Sequence, residues 1–181
     1  MPTSWIEVAD TAVKIGLGAL ITGASAYLLA RENHTNSVRR DMTAKRVSIL
    51  EAACASAEEY FSYCTHLYNV VGGMTANGDG LRRPQTTEEK QFILDTHETL
   101  RTALDARNRA RSQVSLLGGE DALDAMTKYN ETLGRFRKVV ARGELVPAVE
   151  EYDEFIAEFR EHKRAFYLAA ASFLTKLGNG K

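Results

Sequence analysis

The sequence predicts an all-α protein with an N-terminal transmembrane helix continuing into an antiparallel four-helix bundle. Three observations carry that expectation. Residues 15–30 form an uncharged apolar stretch, most of the chain beyond it spaces apolar residues by three and four, and the 181 residues contain only three prolines. With 44% hydrophobic and 26% charged residues, the chain has enough apolar mass to bury a core. Two regions follow: a membrane-anchoring helix at 1–33 and a helical bundle at 34–181, with a flexible loop at 72–86.

The first element runs from Thr11 to Ala30, stepping over Lys14, which can extend its ammonium to the near surface. That is close to the roughly 20 residues needed to cross hydrocarbon. Trp5 on one side and Tyr27 with Arg31 on the other suit the interface between lipid and water. The acidic start MPTSWIEVAD lacks the basic region of a signal peptide. Arg31, Arg39, Arg40, Lys45 and Arg46 all follow the span, so its C-terminal side is expected to be cytoplasmic, giving a single-pass membrane protein. Ala12, Gly16, Ala19, Gly23, Ala26 and Ala30 recur at alternating spacings of four and three. This bare face would let helices approach closely in lipid and self-associate. The competing expectation is a soluble assembly in which the same helix is a buried seam.

The first bundle helix is marked by Val47, Leu50, Cys54, Ala57, Phe61, Cys64, Tyr68 and Val71, and is expected to end at Gly72-Gly73. A second helix starts at Thr86 or Thr87, where Glu88 and Glu89 follow in capping-box fashion, and stops at Gly118-Gly119. The third and shortest opens on Glu120 and Asp121 and closes at Arg142-Gly143. The fourth has Pro147 in its first turn and carries Val149, Tyr152, Ile156, Phe159, Phe166, Ala170, Phe173 and Leu177 to Gly178. Acids open each of the last three helices and bases crowd their later halves, as the helix dipole favours.

An up-down-up-down path returns the last helix towards the membrane, so Phe166, Tyr167 and Phe173 are candidates for membrane-proximal contact. Plain bundle core is the alternative for the same residues. Arg82, Arg83, Arg101, Arg107, Arg109 and Arg111 are the densest basic group and a candidate patch for an anion or a protein partner. Arg107 falls in register with the apolar seam, where a guanidinium must find a carboxylate or a shared interface.

No constellation for catalysis, cofactor or metal emerges. Cys54 and Cys64, ten apart on one helix, cannot reach each other and read as buried free thiols of a reducing compartment. His34, His66, His97 and His162 are scattered, and no paired Glu-x-x-His motif is present. The glycines from 72 to 80 lack the Gly-Lys-Ser/Thr ending of a phosphate loop. Residues beyond the span are balanced in charge, which argues against nucleic acid. The expected function is therefore non-enzymatic: a membrane-anchored bundle acting through protein–protein interaction or self-assembly. Its expected partners are membrane lipid, further copies through the N-terminal helix, and another protein on the bundle. An oligomeric membrane effector that perturbs the bilayer, with the bundle as its regulatory part, is the alternative.

Overall fold

A computed structural model describes Thr22, Gly23, Ser25 and residues 37–178. Four helices account for most of the described residues: α1 (Ser37–Ala76), α2 (Thr87–Leu116), α3 (Glu120–Arg137) and α4 (Val149–Gly178). A π-helical turn, Lys138–Arg142, extends α3. The two-residue strands β1 (Arg83–Pro84) and β2 (Leu145–Val146) pair antiparallel, with Arg83 opposite Val146. The bundle expected from the sequence is thus present. Residues 11–30 lie outside the described residues except for Thr22, Gly23 and Ser25, which are helical. No helix among the described residues is long and apolar enough to cross a membrane.

The heptad-like stripes of the sequence meet as an aromatic core. Phe61 of α1 lies 4.6 Å from Tyr129 of α3 and 5.7 Å from Phe166 of α4, ring centroid to centroid. Phe159 packs 5.0 Å from Tyr129, 5.9 Å from Phe136 and 5.3 Å from Tyr68. Such tilted, edge-on and stacked pairs add about 0.5–1.5 kcal/mol each beyond their area burial. The α1–α2 seam is built differently. Ala53, Ala57, Ala103, Ala106 and Ala110 are fully buried, and their missing bulk lets these two helices make the most extensive contact in the bundle.

Both hairpin loops lie at one end, where β1 and β2 tie them together. Gln85 fastens this end from inside: its side-chain Nε2 donates to the carbonyls of Val140 (2.8 Å) and Leu145 (3.0 Å), while its backbone N–H donates to Glu144 (2.9 Å). The π turn widens the helix just where the Val140 carbonyl meets Gln85, one of the recognised uses of such a turn. Glu144 adopts a left-handed φ of 51° and its carboxylate pairs with Lys90 of α2. At the opposite end Gly118, with φ of 70°, turns α2 into α3, a conformation that glycine adopts without a Cβ clash.

Two sequence expectations are corrected, and of the two readings of Phe166 and Tyr167 the core one describes their packing. Gly72-Gly73 does not end α1, which continues to Ala76, so the loop is 77–86. Gly72 is instead a place of close approach: a Cβ there would meet the Tyr152 hydroxyl at 2.4 Å. That hydroxyl donates to the Tyr68 carbonyl at 3.0 Å and so fixes α4 against α1. Pro147 precedes α4 rather than opening it, since the helix begins at Val149. Phe166 is wholly buried and Tyr167 nearly so, its hydroxyl bonded to Glu58 of α1, while Phe173 packs partly buried against the core. In this fold Phe166 and Tyr167 are core side chains.

The start of α2 matches its expectation in detail. Thr86 Oγ1 accepts from the Glu89 N–H and the Glu89 carboxylate accepts from the Thr86 N–H, closing a capping box. Arg83 grips the same carboxylate with two N–H groups at 2.6 and 2.8 Å. These contacts, that of Arg83 foremost, hold the Glu89 carboxyl down at about 2 from an ordinary 4.5.

Two predictions follow from this geometry. Gly72→Ala forces the Tyr152 ring off its hydrogen bond and should destabilise by about 1–3 kcal/mol. Gly73→Ala, where a Cβ meets open space on the next residue of the same helix, should stabilise by about 0.5–1 kcal/mol. Urea unfolding measures both, and equal effects would refute the assigned role of Gly72. Because the folded pKa of Glu89 is depressed, its contribution is complete above about 4.5 and fades as pH falls towards about 2. The stability gap between the parent chain and Glu89→Gln should therefore close over that window and stay constant from pH 5 to 8.

Candidate functional site

A set of half-buried polar groups gathers midway along the bundle, where α1, α2 and α3 meet. Helical spacing sets them there. Tyr60 and Cys64 are four apart on α1, Arg107 and Arg111 four apart on α2, and Thr127 and Asn130 three apart on α3, so each pair shares a face. Since α2 and α3 run antiparallel, Arg107 comes opposite Asn130 and Arg111 opposite Thr127. Arg107 Nη1 donates to Asn130 Oδ1 at 2.6 Å and Nη2 to Asn108 Oδ1 at 3.1 Å. Arg111 Nη1 donates to Thr127 Oγ1 at 3.1 Å. The Tyr60 hydroxyl donates to the same Asn130 oxygen at 3.2 Å.

Of the two partners expected for Arg107, a carboxylate or a shared interface, the first is absent, for its oxygen partners are neutral amides. Its Nε is buried with no hydrogen-bond partner. A half-buried cation satisfied this way keeps part of its desolvation penalty, which only an opposite charge removes. Beside it the Cys64 thiol is fully buried, and burial pushes its pKa up to about 12. Burial raises the Cys54 thiol to about 11 and the Tyr60 and Tyr129 hydroxyls beyond the ordinary tyrosine value. Tyr129 lies close to Cys64 without reaching hydrogen-bond geometry, leaving its hydroxyl orphaned in the core. Neutral thiols with such high pKa values are poor nucleophiles.

The remaining arginines of the expected patch are not brought together. Arg82 faces Glu151 at 3.9 Å, Arg83 is committed to Glu89, and Arg109 pairs with Glu59 at 2.8 Å. Arg101 is exposed on α2. The patch thus resolves into structural ion pairs on separate faces and one linked pair, Arg107 and Arg111. Of the small-faced set, Gly23 is exposed with open space around its Cα, and Ala12, Gly16, Ala19, Ala26 and Ala30 lie outside the described residues. Glu158 bonds Thr132 at 2.8 Å and pairs with Arg135. No group of three metal-ligating side chains occurs among the described residues.

Sequence reasoning missed Tyr60, Thr127 and Asn130 as partners of the arginines. Asn130 carried a signal: it stands one residue from the buried Tyr129 in mid-helix, where a short amide is a weak helix former and gains from a specific bond. A cleft of about 220 Å³ opens at the α2–α3 turn, lined by Leu50, Val114, Leu117, Gly119, Phe173 and Lys176. Glu120 and Asp121 share its rim.

Both cysteines should resist an aromatic disulfide reagent in the folded chain at pH 8 and react together in denaturant. Rapid native labelling of Cys64 would show that the α1–α3 seam opens far below the global unfolding free energy.

No protein-family model, curated protein sequence or solved structure matches the chain.

Proposed function

We propose that the chain is a single-pass membrane protein, anchored by residues 11–30, whose cytoplasmic helical bundle acts through protein–protein interaction or self-assembly rather than by catalysis. The observation that carries this reading is the junction between the apolar stretch and the bundle. Residues 15–30 hold no charge, and in α1, counted from Asp41, the first buried side chain is Val47. Asp41, Met42, Lys45 and Arg46 are exposed, with Thr43 and Ala44 half-buried between them, so about 9 Å of helix, at 1.5 Å per residue, precedes the core. A bare helical stem with basic side chains suits the space between a membrane and a domain held off it, where cationic residues meet anionic headgroups.

The rest of the bundle agrees with an interaction role. Its core is filled by aromatic rings, its cysteines are buried, and several of its arginines are held by carboxylates. Self-association is assigned to the small face of Ala12, Gly16, Ala19, Gly23, Ala26 and Ala30, where close helix approach supplies van der Waals contact in lipid.

Fractionation with carbonate washing tests the anchor. Full-length chain should stay in the membrane pellet, and a chain starting at Glu32 should be released as folded protein. Release of the full-length chain would overturn the reading. Molar-mass measurement in detergent should give an oligomer that Gly16→Leu and Gly23→Leu reduce to one chain, and an unchanged mass would remove the small face from the account.

A further inference from the structure

We propose that Arg107 and Arg111 form a binding site for the phosphoryl oxyanion of a small soluble ligand, held between α2 and α3. This is independent of the membrane anchor. The argument rests on how these two guanidiniums differ from the other arginines of the expected patch. Arg82, Arg83 and Arg109 each have a carboxylate. Arg107 and Arg111 stand one turn apart on the same face of α2, where like charges repel, and each is met by neutral oxygens.

The neighbouring acids are already engaged or turned away. Asp124, one turn before Thr127 on α3, is held by Lys128 at 2.7 Å. Asp105 is exposed and sits some 200° around α2 from Arg107. Thr127 donates its own proton to the Leu123 carbonyl at 2.8 Å, so towards Arg111 it acts purely as an acceptor. Asn130 Oδ1 accepts from both Arg107 and Tyr60, which fixes the amide and leaves its NH2 group as a further donor beside the guanidiniums. Two forked cations and an oriented amide thus line one stretch of the α2–α3 seam. An oxyanion with several acceptor oxygens satisfies them together, and guanidinium geometry favours phosphoryl groups for bidentate contact.

Inorganic phosphate is the probe, added to the full chain in detergent against chloride at matched ionic strength. Phosphate should raise the thermal midpoint, by about 3–6 °C at ten times its dissociation constant and logarithmically with concentration beyond it. Arg107→Lys and Arg111→Lys keep the charge but lose the fork, and each should remove most of that rise. Arg101→Lys, on the exposed side of the same helix, should leave it intact. Each variant is compared with itself in chloride, so a general loss of stability does not imitate the result, and Arg111→Lys serves alone if Arg107→Lys does not fold. A rise no greater in phosphate than in chloride, or one undiminished in Arg111→Lys, would overturn the site.

Discussion

The fold turns on the ring contact between Phe61 and Tyr129, 4.6 Å apart at the point where α1, α3 and α4 converge. Phe61 alone touches α3 through Tyr129 and α4 through Phe166 and Tyr167, while Phe159 extends the cluster to Tyr68 and Phe136. Remove that junction and the two hairpins, α1–α2 and α3–α4, lose the surface that makes them one body. The alanine seam of α1 and α2 cannot replace it, because small side chains bury little area on the faces they turn to other helices. Around the junction lies a second tier of directional contacts: Lys163 and Tyr167 on Glu58, Tyr152 on the Tyr68 carbonyl, and Gln85 on the π turn. These set the register of α4 on α1 and close the loop end, while the buried rings supply most of the driving force.

Much of this architecture was legible in the sequence because its signals are local. The Thr86 to Glu89 capping box, the Gly118-Gly119 break and the acidic openings of α2, α3 and α4 name helix ends through chemistry confined to one turn. Apolar spacing likewise marked Phe61, Phe159 and Phe166 as interior. What could not be read was set by distant partners. Gly72-Gly73 has the composition of a helix stop, yet it lies inside α1 because Tyr152, eighty positions away, needs the space of a missing Cβ. The β1–β2 pairing and the π turn answer to Gln85, whose contacts lie some sixty residues along the chain.

The candidate site shows the same division. Six arginines formed one dense group in sequence, but helical rotation sends them to separate faces and ion pairs dispose of three. The special position of Arg107, in register with the seam, was visible; that Asn130 and Tyr60 would meet it in place of a carboxylate was not, since the pairing depends on the register of α3 against α2. The exposed start of α1 and the Arg107–Arg111 pair midway along the bundle are separate features.

The claim that the aromatic junction holds the bundle together is tested most directly by native-state hydrogen exchange on the full chain. Amides at 57–68, 126–136 and 155–167 should exchange last and as one group, through global unfolding only, while those at 41–46, on the exposed stem, exchange orders of magnitude sooner. If instead the α1–α2 hairpin keeps its protection while 155–167 opens independently, the junction is not what unites the four helices.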